Sequence, residues 1–189
     1  MATEPELPRD FVSNSIDSFR ANVVNRGGVQ YASKYIVEFY TPFGNYVTYP
    51  SEVNIPQRAL ATYDAGQPDS LWGTKRKVPV QHEFDEVTMS FVIYQDNEDR
   101  KFLESWMDNI INKGSYNEDY IEYANVYFDY VGKIYISTLL AGSHNVTTAT
   151  YLLDEAYPLS ILPITLAAEN NGYATFVATF AYRKYYIIK

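Results

Sequence analysis

Between residues 87 and 114 the hydrophobic period of the chain changes, and this change limits the possible folds more than any other feature. In "DEVTMSFVIYQ", Val87, Met89, Phe91 and Ile93 fall on one side and Thr88, Ser90, Val92 and Tyr94 on the other. A period of two is the signature of a half-buried strand. In "QDNEDRKFLESWMDNIINKG" the period becomes helical. Phe102, Leu103, Trp106, Met107, Ile110 and Ile111 then share one face, so the helix needs a sheet to cover. Asp96 is the candidate N-cap, with acids in the first turn, and Gly114 follows the end. The pattern predicts a helix over about 97–112 with Phe102, Leu103, Trp106, Met107 and Ile110 as its packing face.

Extended segments dominate elsewhere. "KYIVEFY" sets Tyr35, Val37 and Phe39 against Ile36, Glu38 and Tyr40; "PFGN" reads as a turn and "YVTYPSEVNIP" as resumed strand. "KVPVQ" is a further strand. Over 124–131 the spacing of Tyr120, Tyr123, Tyr127 and Tyr130 is helical, while Val126, Phe128 and Tyr130 alternate. The β preference of Tyr and Val favours strands at about 124–131 and 133–140, around Gly132. "LLDEAYP" suggests a short helix or turn, followed by a strand from Ser160. The closing "YATFVATFAYRKYYII" reads as one long strand, with Phe176, Ala178, Phe180 and Tyr182 on one face. Near the start, "VSNSIDSFRANVVNRGG" predicts a short helix capped by Ser13 or Asn14 and stopped at Gly27–Gly28. Residues 57–74 show no period, and a loop longer than about 12–15 residues is usually functional or disordered.

Composition excludes more chemistry than it suggests. The 189 residues suit a single domain, and the formal charge of −8 opposes general nucleic-acid affinity. Without cysteine there is no thiol catalysis, thiolate metal site or disulfide. The two histidines, His82 and His144, stand apart, which argues against a zinc or nucleophile site. Glu83, Asp85, Glu86, Asp154 and Glu155 contain candidate carboxylate pairs, but among 23 acids such clusters arise by composition. "DNEDR" lacks the glycine and distal glutamate of a calcium loop. Gly66 and Gly73 fail the phosphate-loop spacing, because Thr74 separates Gly73 from Lys75. "MATEPELPRDFVSNS" does not resemble a signal peptide, no run approaches a membrane span, and "NVT" at Asn145 reads as loop chemistry. The expectation is a soluble, non-secreted protein with no cofactor and no membrane partner.

What the composition does supply is aromatic surface: 19 tyrosines, 10 phenylalanines and 2 tryptophans. Such residues are enriched at interface centres. The basic triplet Lys75, Arg76, Lys77 lies beside Trp72 in the aperiodic segment. As a DNA contact it would work against the field of the whole protein. As part of an arm it would orient docking on an acidic partner surface, with Trp72 as the anchor.

The order of these features resembles the tail-tube proteins of contractile-tailed, T-even-like bacteriophages. The resemblance is carried by the strand into "NIP", the long loop, "KVPV", "FDEVTMSFVIYQDNE", the tryptophan-bearing helix, "EAYPLSILPITLA" and "TFVATFAYRKYY". It covers about residues 31–185, leaving 1–30 as an N-terminal extension to a single domain over 31–189. It implies a mainly β (α+β) fold: two packed antiparallel sheets forming a β-barrel-like subunit with one flanking helix and a long interface loop. The type VI secretion tube protein is related to that family in fold. The resemblance further implies hexameric rings stacked into a hollow tube within a sheath, assembled in the host cytoplasm from a baseplate initiator. A tape-measure protein occupies the lumen and genomic DNA only passes through it. The long loop then corresponds to an inter-ring arm, here Tyr63, Asp64, Leu71, Trp72, Lys75, Arg76 and Lys77. Phe176, Phe180 and Tyr182 mark the C-terminal sheet strand. A tube-initiating baseplate protein of the same fold is the first alternative, a small ligand-binding β-sandwich the second, and an enzyme the last.

Overall fold

The computed structural model of the chain describes residues 16–26, 28–65, 76–112, 123–140, 146–164, 166 and 172–188. A helix, α1 (Ile16–Asn25), precedes the hairpin β1 (Tyr35–Thr41) and β2 (Gly44–Thr48). Then come β3 (Glu52–Val53), β4 (Arg58–Ala65), β5 (Arg76–Phe84) and β6 (Val87–Val92). The helix α2 (Glu98–Ile110) leads through β7 (Ile111–Asn112), β8 (Tyr123–Ala124) and the single turn α3 (Tyr127–Tyr130). The chain closes with β9 (Gly132–Leu139), β10 (Thr147–Ile161), β11 (Thr175–Ala181) and β12 (Lys184–Ile187).

Two antiparallel sheets share one strand. The order β2-β1-β9-β10-β11-β6-β3 is continuous, with β12 also paired to β10. The first half of β10 lies between β9 and β12, and its second half pairs with β11. The switch is made by a bulge. Leu153 faces Ile134 and Ala156 faces Gly132, so β10 spends one residue more than β9. Glu155 sits there at φ 52, in the left-handed region. Bulges bend a strand and increase its twist, which lets β10 leave one sheet and enter the other. Opposite the bend, β11 and β12 part at Tyr182–Arg183, where the Arg183 amide donates to the Asp154 carbonyl at 3.1 Å. The end strands β2 and β3 are joined by only three residues, 49–51, yet they do not pair with each other. The sheets therefore wrap most of a barrel without closing it.

Alternation fills the space between the sheets. Val87, Met89 and Phe91 of β6 are buried, as are Phe176, Ala178 and Phe180 of β11 and Val37 and Phe39 of β1. Leu103 and Trp106 bring α2 onto the same core, while Phe102, Met107 and Ile110 are half-buried at its margin. Trp106 meets Phe39 edge-on at 6.1 Å, and Phe102 stacks on Tyr46 at 4.6 Å. Each fully buried Leu or Phe side chain contributes roughly 1.5–3 kcal/mol. Asp99, buried at the start of α2, accepts hydrogen bonds from Thr48 at 2.6 Å and Tyr46 at 3.0 Å, tying the helix to β2.

Several sequence expectations change. The 57–74 segment is not a loop throughout, since Arg58–Ala65 forms a strand. Among the described strands it pairs only with β5, and apart from the half-buried Ala59 and Ala61 its described side chains are exposed, so burial imposes little period on it. The N-cap of α2 is Asn97, at φ 58, in place of Asp96. The strand expected over 124–131 is instead β8 and α3, with helical Tyr spacing from Tyr127 to Tyr130. "LLDEAYP" runs inside β10, because β9, β11 and β12 supply its ladder partners. The single closing strand is broken into β11 and β12. Ser13, Asn14, Gly27 and Gly114, expected as caps and stops, lie outside the described residues.

Candidate assembly surface

Among the described residues the strands β4 and β5 form a two-stranded ribbon paired only with itself. Its register runs from Arg58 opposite Phe84 to Ala65 opposite Arg76. Ala61 faces Gln81 and Thr62 faces Pro79, which leaves Val80 as a bulge. The alternation of cross-strand pairs then places Arg58, Leu60, Thr62 and Asp64 on one face with Phe84, His82, Pro79 and Lys77. Tyr63 and Val78 lie on the other. An isolated two-stranded ribbon is marginal in water. This one is anchored at its foot, where Phe84 packs against Tyr182 at 6.1 Å and Tyr185 at 5.9 Å. His82 stacks on Phe84, and its Nε2 lies 3.3 Å from the Arg58 guanidinium.

Away from that foot the ribbon is open to solvent. Leu60, Tyr63 and Val80 are 53%, 56% and 64% exposed. Asp64, Arg76 and Lys77 are exposed as well, Lys77 directly opposite Asp64. Leu71, Trp72 and Lys75 lie outside the described residues. Pro79 removes one amide donor and the Val80 bulge interrupts the ladder, two devices that keep an edge from pairing indiscriminately. A second exposed edge is β12, where Tyr186, Ile187 and the following Ile188 face solvent.

The corner between the sheets is held by polar contacts. Arg183 donates to Glu155 at 2.7 Å, and the Tyr127 hydroxyl donates to the same carboxylate at 3.0 Å. The Arg183 hydrogen bond holds the Glu155 carboxyl below its ordinary range. Burial, followed by the bond to Glu155, pushes the Tyr127 hydroxyl up to about 12. At the ribbon foot, burial pushes the Tyr182 hydroxyl up to about 12, with a smaller contribution from Asp85. Among the described residues the Tyr182 oxygen finds no hydrogen-bond partner.

Two of the carboxylates that looked like catalytic pairs have structural partners, Glu155 with Arg183 and Asp154 with Lys133 at 3.9 Å. Among the described residues no group of three His, Asp or Glu side chains is placed to hold a metal. No described helix is long and apolar enough to cross a membrane, which says nothing of strands. The site residues that sequence reasoning missed are the first part of β4, residues 58–62, the Phe84 foot and the Glu155–Arg183 corner. The first two left no periodic signal. The corner showed only as an acidic pair before Ala156-Tyr157-Pro158.

A family model described as phage tail tube protein matches residues 30–188. No curated protein matches the chain by sequence. Among solved structures, a chain of the anti-feeding prophage baseplate superposes with a TM-score of 0.65 at 10% identity, covering 85% of this chain and 95% of that one. A chain of the sheath–tube complex of an extracellular contractile injection system, in its extended state, gives 0.60 at 16% identity, covering 93% and 98%. A chain of the anti-feeding prophage tube-terminating cap gives 0.59 at 17%, covering 85% and 93%. These likenesses establish a shared fold.

Proposed function

The chain belongs to the phage tail tube protein family, and from that premise we propose that it is the repeating subunit of a hollow tail tube, built of stacked hexameric rings. The family is structural rather than catalytic, and its members are components of phage tails. The observation that carries the finer reading is the β4–β5 ribbon, which among the described residues pairs only with itself and exposes Leu60, Tyr63 and Val80. A monomer gains nothing from holding these side chains in water. A neighbour in a ring or stack buries them, and obligate interfaces of this kind bury about 2,000–5,000 Å². The proposed partners are further copies of the chain, a surrounding sheath, a baseplate initiator and a tape-measure protein, with genomic DNA in transit during ejection. The acidic balance of −8 suits a wall that DNA passes without sticking. Assembly is proposed in the host cytoplasm.

The likeness to baseplate and cap chains favours one second reading, a terminal or initiating ring of the same fold. Negative-stain electron microscopy of the purified protein at rising concentration separates the two. Tubes that lengthen with concentration support the tube subunit, and discrete rings that never extend support the terminal ring. A protein that stays monomeric, alone and with a baseplate nucleus, overturns both.

A further inference from the structure

The β4–β5 ribbon continues the register of the sheet edge it leaves. Glu52 faces Ser90 and Val53 faces Met89, and after four further residues on each strand Arg58 faces Phe84. The ribbon therefore departs from the Val87 end of β6. At the other end, beyond Val92, lies a hollow of about 240 Å³ between β2 and the start of α2. Val47, Tyr49 and Tyr94 line it and are 49%, 66% and 57% exposed. The charged residues of its lining are Asp96, Glu98 and Asp99, and none is basic. These three carboxylates outweigh the partial charge of about +0.5 at a helix start. Lys101, on the same helix, donates to the Asp96 carbonyl at 2.8 Å and does not line the hollow. Asp99 is only 9% exposed, yet the bonds it accepts from Thr48 and Tyr46 come from neutral hydroxyls. None of the ion pairs among the described residues includes it. A buried carboxylate without a cation is costly, so the hollow favours an incoming positive group.

We propose that this hollow receives the Arg76 guanidinium from the ribbon of a second copy of the chain. Residues 75–77 are the only run of three basic residues in the sequence. Lys77 faces Asp64 across the ribbon, whereas Arg76 faces Ala65 and is exposed, so Arg76 carries the charge that nothing opposite it offsets. A guanidinium stacks on tyrosine rings and bonds carboxylates through its planar fork, and this lining offers both. The same chain cannot bring the two together. Val92 lies eight residues beyond Phe84 and Arg76 eight residues before it, about 25 Å of extended chain each way. Phe84 is pinned between them by Tyr182 and Tyr185, so the ribbon would have to fold back along the whole of β6. A second copy needs no such reversal. A head-to-tail contact of this kind does not close on itself but repeats along an axis. The proposal rests on the tube reading for its row of copies, and names the face that receives the ribbon.

Two full-length variants, purified apart under different tags, test it: Arg76→Glu, and Asp96→Arg combined with Glu98→Arg. All three side chains are exposed, and a urea titration checks that each variant folds. If the arginine variant does not fold, Asp96→Asn with Glu98→Gln replaces it and must lose stacking on its own. The expected result is that neither variant lengthens into tubes alone. Mixed, the two should co-purify above the level of either variant with itself and form tubes, because the acidic ribbon meets the basic hollow and the native ribbon meets the native hollow. Variants that stack as the parent does overturn the proposal, and so does a mixture that restores nothing. A chain carrying all three changes that recovers stacking while the mixture does not puts the contact within one copy, which also overturns it. Parent tubes without a mixed complex leave the tube reading standing and sink this contact. A mixed complex with no tubes from any sample, the parent included, does the reverse.

Discussion

The indole nitrogen of Trp106 donates to the carbonyl oxygen of Tyr130 at 2.8 Å, so the helix α2 is bonded to the chain just before it enters β9. Two residues later comes Gly132, whose absent side chain makes that approach possible. A Cβ at Gly132 would lie 2.7 Å from the Tyr40 carbonyl oxygen and 3.0 Å from Cζ2 of Trp106. Gly132→Ala is therefore expected to destabilise the subunit by about 1–3 kcal/mol, in the range of core overpacking. A urea titration followed by tryptophan fluorescence measures it. An unchanged midpoint would mean that the Tyr40 backbone yields without cost.

Thr48 and Tyr46 are the donors that hold the Asp99 carboxylate at the start of α2. Thr48→Val keeps the shape but removes the shorter of the two bonds beside a buried acid. The expected loss is about 1–3 kcal/mol, the range for a buried polar group deprived of its partner. The same titration reads it, and Tyr46→Phe tests the second donor.

The Glu155 carboxyl is held below its ordinary value of 4.5, chiefly by the hydrogen bond from Arg183. A depressed carboxyl contributes stability that is present above its unfolded pKa and is lost as pH falls through the folded one. Glu155→Gln should accordingly melt lower than the parent at pH 7, with the gap narrowing as pH falls below about 4. Thermal melts at pH 7, 5 and 3.5 test the sign; a gap that widens in acid contradicts it. Tyr127 gives the complementary alkaline signature. Its hydroxyl stands at about 12, so whatever it contributes is complete below its ordinary value of 10 and is lost as pH rises through the folded value. Tyr127→Phe should remove that alkaline decline.

The ribbon predictions separate folding from assembly. Leu60→Asp and Val80→Asp alter exposed side chains, so the unfolding midpoint should stay within about 0.5 kcal/mol of the parent. Ring stacking, read by light scattering and microscopy, should be lost. Deleting residues 62–74 should have the same effect on stacking. Phe84→Ala acts differently, because it removes the aromatic anchor on Tyr182 and Tyr185. Stability and assembly should both fall. Normal tubes from the Asp variants would leave the ribbon without a role in stacking.

Legibility followed the core. The alternation of β1, β6 and β11 and the apolar face of α2 were readable because each of these elements puts one side against the same interior, and burial imposes a period. The ribbon imposed little: among the described strands β4 and β5 pair only with each other, and beyond the Phe84 foot most of their side chains meet solvent. The clustering of Tyr63, Asp64, Arg76 and Lys77 near the open end of a hairpin therefore came from pairing that the residues themselves did not announce.

Local sequence determined which segments are amphipathic and where the helix α2 lies. It also placed the chain by resemblance in the family whose model matches it. Only the tertiary structure decided that "LLDEAYP" is strand. Acids and a proline favour a turn when considered alone. Between β9 and β12, then against β11, the same backbone groups find ladder partners at nearly every step. The left-handed geometry of Glu155 is tolerated because Arg183 and Tyr127 converge on its carboxylate from segments 28 residues away in either direction. Contacts over that distance are absent from any local window of sequence, and they are what bends one strand into two sheets.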